Sequence, residues 1–419
     1  MIKKPQSIQS IYLYLVLGNT LAASFIWGIN TLFLLNAGLS NFQAFAANAF
    51  FTLGQVLFEV PTGVIADTYG RRISYLLGCI TLSTSTALYL YMWTIQGPFW
   101  GWAASSIALG LGFTFFSGAL EAWLVDALKF TNFKGSLDGV FAKGQIVGGI
   151  AMLTGSIAGG IIAQFTNLGV PYILRTGILI INFATAFFLM RDLGFTPKKP
   201  KNPLMEMKTI FNQSIDHGFK NPPVRWIMIA APFATGVSFY VFYALQPFLL
   251  KLYGDDKAYW IAGLVAALVA CAQIAGGMLA PKIRKLFSRR TTALFAGTLI
   301  TSALLLLVGF VSNFYAVLLI IFLWGLMFAS IMPIRQAYLN GIIPSQQRAT
   351  VLSFDSLMGS SGGIVIQPLL GRAADVWNYS TSYMIASLFQ AGALPFIWLA
   401  KREKAKADVI EKVATPNNP

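Results

Sequence analysis

Apolar residues fill long runs along almost the whole chain, and the breaks between runs are short and hold glycine, proline, asparagine and charge. A helix needs about 20 apolar residues to cross a bilayer, and twelve runs reach that length. They cover 11–35, 44–66, 73–95, 102–127, 140–165, 171–190, 226–250, 258–280, 291–311, 314–340, 351–374 and 380–400. The first has no small-residue cleavage site behind it and is longer than a signal core, so it is expected to be a retained helix. The pattern predicts an all-α membrane protein of twelve transmembrane helices.

Composition agrees. The 419 residues are 56% hydrophobic and 11% charged, with a mean hydropathy of +0.66, far below the roughly 25% charge of a soluble domain. The charge that remains is ordered. Alternate connections are basic: Lys3 and Lys4, Arg71 and Arg72, Lys129 and Lys134, the 191–225 segment, Lys282 to Arg290, Arg348, and Lys401 to Lys406. The positive-inside rule then puts both termini in the cytoplasm. The net charge of +15 is spread over many short loops, which makes it a topology signal and argues against a nucleic-acid partner. Short loops and compact termini point to a prokaryotic plasma membrane.

Catalytic equipment is sparse. Cys79 and Cys271 fall inside spans and the single histidine, His217, lies in the central connection, so neither a disulfide framework nor a metal centre is expected. The chain is not expected to be an enzyme or to carry a cofactor.

The 191–225 connection, rich in Lys and Pro, divides six spans from six. Residues 1–190 and 226–400 form the expected bundles, and 401–419 a cytoplasmic tail. Within the linker Leu204, Met207, Phe211, Ile215 and Phe219 recur at helical spacing, which predicts an amphipathic helix on the membrane surface. The halves also repeat. Gly63 to Asp67 (GVIAD) ends span two and Gly277 to Pro281 (GMLAP) ends span eight, while EAWL from Glu121 answers QAYL from Gln336. The predicted architecture is two pseudo-symmetric six-helix bundles, an arrangement that in secondary transporters puts the substrate site between the halves.

Gly63-Val-Ile-Ala-Asp67-Thr-Tyr-Gly70-Arg71-Arg72 resembles the loop between helices two and three of the major facilitator superfamily, Gly-x-Leu-x-Asp-x-x-Gly-Arg-Arg/Lys, and the likeness extends over all twelve spans. It implies a two-bundle transporter working by alternating access, of the drug/proton antiporter kind, usually monomeric. The resemblance further implies that Asp67 meets the start of the eleventh helix and that a motif arginine pairs with an acid low in helix four. Asp126 matches that place, making Gly63, Asp67, Gly70, Arg71, Arg72 and Asp126 an expected conformational latch. Two family features are missing. The helix-four Arg-x-x-Gln-Gly would fall on Ser106 to Gly110, and the helix-five Gly-Pro is Gly155-Ser156 here.

Ionisable groups inside spans are costly and normally face a cavity or a partner. Asn48, Thr52, Gln55, Glu59 and Thr62 share one helical face, and Thr114, Ser117 and Glu121 form a second. The repeat sets Gln273 opposite Glu59 and Gln336 opposite Glu121. Each acid thus has an amide counterpart that hydrogen-bonds but does not titrate. Glu59 and Glu121 are therefore the expected proton carriers, with a purely structural hydrogen-bonding role as the alternative. Asn19, Trp27, Asn30, Gln55, Tyr243, Gln246, Gln273, Trp324 and Gln336 are the expected substrate-cavity residues. Arg335 and Asp355 are expected to pair, the alternative being an anionic substrate held by Arg335.

The expected function is proton-coupled export of small hydrophobic or cationic organic compounds, driven by the proton gradient, with bilayer, protons and a small-molecule substrate as partners. Proton-coupled nutrient uptake, metabolite efflux and a non-transporting membrane sensor remain as alternatives.

Overall fold

The computed structural model describes residues 4–197, 202, 205, 208–209, 212, 215–345 and 348–410, without the side chains of His217 and Ala349. Leu204, Met207 and Phe211 of the expected amphipathic helix lie outside the described residues, as do Lys3 and residues 411–419 of the tail.

The described chain is helical from end to end. In order it forms α1 (Pro5–Trp27), α2 (Asn30–Asn36), α3 (Asn41–Tyr69), α4 (Arg71–Thr94), α5 (Phe99–Phe116), α6 (Ala119–Phe130), α7 (Leu137–Phe165) and α8 (Val170–Leu189). After the linker come α9 (Pro222–Tyr253), α10 (Tyr259–Lys285), α11 (Arg290–Phe310), α12 (Phe314–Ile342), α13 (Arg348–Val376), α14 (Tyr379–Ala391) and α15 (Leu394–Arg402). Among the described residues eleven stretches are long and apolar enough to cross a membrane, counting α5 with α6 and α14 with α15. The twelfth, α13, has 29 residues, and its run of serines and glycines from Ser353 to Gly363 dilutes its hydropathy. The fold is that of twelve membrane helices in two pseudo-symmetric six-helix bundles.

Three spans expected to be continuous are interrupted. The first breaks at Gly28–Ile29. The fourth breaks at Ser117–Gly118, where Gly118 has φ +66, a left-handed backbone that glycine adopts without a Cβ clash. The twelfth breaks at Gly392–Ala393, and Pro395 restarts it as α15, a proline being well placed in a first helical turn. Hydropathy is blind to such breaks because the residues on both sides stay apolar. Elsewhere local signals set the ends. Ser40 Oγ accepts the Gln43 N–H at 3.3 Å while Gln43 Oε1 accepts the Ser40 N–H at 3.1 Å, a capping box opening α3.

Contact divides the chain into two compact units, Met1–Met207 with Phe242–Ala267, and Lys208–Val241 with Leu268–Pro419. The boundary thus passes through α9 and α10 and not through the linker alone. In the first unit small residues bring backbones together. A Cβ on Gly54 would lie 2.5 Å from the Ile107 carbonyl, fixing α3 against α5, and one on Gly263 would lie 2.5 Å from the Ser156 carbonyl, fixing α10 against α7. Gly155 and Gly159 of α7 press in the same way on Ser24 and Phe25 of α1. In the second unit Val224, Met228, Leu294, Tyr338, Val351 and Ile397 belong to one buried apolar cluster. The segment after α15 folds back onto this unit. Asp408 accepts the Thr291 N–H at 2.7 Å and its hydroxyl at 2.9 Å, which caps α11 from far along the chain.

Candidate transport site

The break in span four has one expected acid hydrogen-bonded to it and the other just after it in sequence. Ser117, the last residue before Gly118, donates its hydroxyl to Glu59 Oε1 at 2.6 Å. Glu121 lies in the first turn of α6, where the helix dipole favours a negative charge. Glu59 is half-buried and Glu121 exposed, so neither is sealed in the protein interior. Just after Glu59, Pro61 sits inside α3 and removes one helix N–H. Thr62 bonds the neighbouring Phe58 and Glu59 carbonyls at 2.8 and 3.2 Å.

In the Gly63–Arg72 loop the two arginines take partners other than Asp126. Arg71 Nη1 lies 2.6 Å from Asp67 Oδ1, and Arg72 Nη2 donates to the Phe187 carbonyl at 2.5 Å with its guanidinium 5.2 Å from the Phe187 ring centre. Asp126, the expected partner of Arg71 or Arg72, takes part in no ion pair among the described residues. The reason is geometric. Gly70, at φ +115, lets α4 begin straight after α3, so Arg71 folds back one turn onto Asp67 while Arg72 turns toward α8. An unexpected acid completes the loop: Asp192 Oδ1 accepts the Arg72 N–H at 2.9 Å and so caps α4. Burial pushes the Asp192 carboxyl up from its ordinary range, opposed by the Arg72 and Arg71 contacts.

The expected cavity residues fall in both units. Asn30 Nδ2 donates to Asn48 Oδ1 at 2.8 Å and its Oδ1 accepts the Tyr172 hydroxyl at 3.0 Å. Gln246 bridges the break in span one, donating Nε2 to the Trp27 carbonyl at 2.8 Å and accepting the Thr31 N–H at 3.0 Å. Both amides thus spend their hydrogen bonds on the protein. Asn19, Gln55 and Tyr243 are half-buried. In the second unit Gln273 and Gln336 are exposed, and Trp324 is buried with its ring stacked on Phe328 at 5.3 Å and its Nε1 without a partner among the described residues.

Arg335 and Asp355 meet as a fork on a fork. Nη1 donates to Oδ2 at 2.7 Å and Nη2 to Oδ1 at 2.6 Å, with Asp355 only 4% exposed. Beside them a cavity of ≈ 50 Å³ is walled by residues including Thr298, Thr301, Phe328, Arg335 and Gln390.

Comparison with known proteins decides the family. A model of the Major Facilitator Superfamily matches residues 13–287 and 261–417. The chain belongs to the Major Facilitator Superfamily. It is 25% identical over 337 residues to Multidrug resistance protein MdtG of Salmonella typhimurium, covering 78% of this chain and 76% of that one. It is 22% identical over 193 residues to an uncharacterized MFS-type transporter of Methanocaldococcus jannaschii, 46% of this chain and 48% of that protein, so the match spans about half of that archaeal relative. Among solved structures, nucleoside transporter NupG superposes with TM-score 0.73 at 10% identity, over 95% of this chain and 99% of that one. A bacterial homolog of the human lysosomal transporter Spinster, inward-facing and unoccupied, gives 0.71 at 15%, over 97% and 98%.

One charge in this superfamily chain escaped the sequence analysis. Arg175 of α8 is 1% exposed, donates Nε to Thr86 Oγ1 at 3.2 Å and lies 5.6 Å from the Phe113 ring centre. No acid pairs with it among the described residues. Two signals pointed to it: it is the only ionised residue in the 171–190 run, and the half-repeat sets Gln390 opposite. Asp192 carried no such signal, since its role arises only where α4 and α8 meet.

Proposed function

We propose that this superfamily member is a proton-coupled exporter of small hydrophobic or cationic organic compounds. It works by alternating access, as a monomer without cofactor or catalytic activity, in a prokaryotic inner membrane with both termini cytoplasmic. The observation that carries the proposal is the 2.6 Å hydrogen bond from Ser117 to Glu59 at the break of span four. Ionised Glu59 accepts that bond with charge assistance. Protonated, it becomes a donor as well and binds Ser117 less tightly. Loading a proton on Glu59 therefore loosens the point where span four changes direction, and Glu121 in the following turn feels the same change. The likeness to MdtG, a protein named for multidrug resistance, supports the substrate class.

The test is uptake of fluorescent cationic and neutral compounds into inverted membrane vesicles, with a proton gradient imposed and then collapsed. Gradient-dependent uptake is expected, and Glu59→Gln or Glu121→Gln should abolish it while leaving binding measurable. Full gradient-driven uptake in both variants would sink the proton assignment. Failure to accumulate any compound across a broad panel would sink the export reading.

A further inference from the structure

Where α4 begins and α8 ends, a pocket of ≈ 460 Å³ is lined by Arg72, Phe187, Phe188, Arg191 and Asp192. It belongs to neither the acid pair nor the amide network. Its charge is unbalanced. Arg71 is matched by Asp67, and Asp192, the one carboxylate in the wall, is engaged by the Arg72 N–H. Among the described residues Arg72 makes a single side-chain hydrogen bond, to a carbonyl. The exposed guanidinium of Arg191 makes no hydrogen bond or ion pair among the described residues, although its backbone is anchored, its carbonyl accepting Trp123 Nε1 at 2.7 Å. Two guanidinium groups thus face one carboxylate.

The apolar side of the pocket is as informative. Phe187 and Phe188 are 49% and 69% exposed, and Ile180 and Ile181, two turns earlier on α8, are 58% and 64% exposed. A water-facing helix would not leave so many large apolar groups uncovered, whereas in a spanning helix such a surface meets acyl chains. The arginines therefore stand at the rim of a lipid-facing strip, on the end of these spans that carries the basic loops.

We propose that this pocket binds the phosphate of an anionic phospholipid from the surrounding bilayer, its acyl chains lying along α8. Guanidinium groups pair with phosphate through parallel N–H bonds. Basic pockets between membrane helices near the headgroup level suit such lipids. The aromatic rings supply the interfacial belt below the headgroup. Asp192 weakens the site without cancelling it, because its charge is spent on the start of α4.

The experiment uses the full-length protein purified in detergent and needs no transport substrate, so it stands apart from the export proposal. Melting temperature and lipid adducts in native mass spectrometry are followed on titration with dioctanoyl phosphatidylglycerol, dioctanoyl phosphatidylcholine and inorganic phosphate. Phosphatidylglycerol is expected to stabilise the protein and form a retained adduct, with phosphatidylcholine and phosphate weak. Arg191→Gln should raise the half-saturating concentration about tenfold and Arg191→Lys much less, with no change in melting temperature before lipid is added. Phe188→Ala should weaken phosphatidylglycerol and leave the response to phosphate unchanged. Equal responses to phosphatidylglycerol and phosphatidylcholine, or a response untouched by Arg191→Gln, would overturn the proposal. A response to inorganic phosphate as strong as that to the lipid would overturn it in favour of a free-anion site.

Discussion

Arg175 Nε donates to Thr86 Oγ1 at 3.2 Å, across 89 residues of chain, and the same 89-residue separation recurs in the second half, where Gln390 Nε2 donates to Thr301 Oγ1 at 2.6 Å. In both places the threonine hydroxyl is already donating to its own helix, Thr86 to Leu82 and Thr301 to Gly297 and Thr298, so it can only accept from the partner. The aromatic neighbour repeats as well: Arg175 lies over Phe113, and Phe328 shares the cavity wall with Gln390. The two bundles therefore keep one hydrogen-bonding plan and differ in charge. With Glu59 against Gln273 and Glu121 against Gln336, three positions hold an ionisable group in the first half and an amide in the second.

Arg175 is expected to serve function at the expense of stability. A buried cation lacking an acid costs several kcal/mol of desolvation, which one threonine and one ring face recover in part. Arg175→Gln copies the second half's own solution. Its melting temperature should equal or exceed that of the unaltered protein, while proton-driven uptake falls. Thr86→Val leaves the guanidinium without its acceptor and should lower stability by about 1–3 kcal/mol. A Gln variant that melts lower and transports normally would make Arg175 a packing residue.

The Gln246 amide satisfies both backbone groups freed where span one breaks, the Trp27 carbonyl and the Thr31 N–H. Gln246→Leu keeps most of the volume and strands both, at about 1–3 kcal/mol for each buried group. Hydrogen exchange should quicken over residues 28–33 and stay unchanged at the Ser40 capping box. Unchanged exchange in the first stretch would mean that water already serves those groups.

The span pattern and the Arg335–Asp355 contact were legible because each rests on local chemistry: run length for one, complementary charges on neighbouring helices for the other. The breaks were hidden for lack of contrast. Gly118 is one of many glycines in the chain, and only its φ of +66 marks it. The partners of Arg71 and Arg72 were hidden for a different reason. Sequence distance does not say that α4 starts directly after Gly70, and that start sends Arg71 to Asp67 and Arg72 to α8. The cavity residues show a further limit, since polarity identifies Asn30 and Gln246 as important without saying whether they bind substrate or helix.

The Arg335–Asp355 fork is expected to be worth more broken than made. Removing one member strands a charge that the bundle has desolvated, at about 3–5 kcal/mol. Arg335→Leu and Asp355→Leu should each lower the melting temperature sharply, and the double variant should recover much of the loss. Additive losses in that cycle would show that the two side chains act independently.

Asp192 lies outside the spans and gives a pH signature with a defined sign. Burial raises its pKa in the folded protein above the ordinary carboxyl value of 3.8, so the folded state holds the proton more tightly than the unfolded chain does. The resulting stabilisation is complete below pH 3.8 and is lost as pH rises through the folded value. Asp192→Asn keeps an oxygen for the Arg72 N–H and removes the titration. The variant should therefore lose less stability than the unaltered protein as pH is raised from below 3.8, and should be at least as stable at neutral pH. Melting curves over that range decide the matter. A parallel pH dependence in both proteins would mean that Asp192 is ionised in the folded state as readily as in water, the Arg72 and Arg71 contacts balancing its burial.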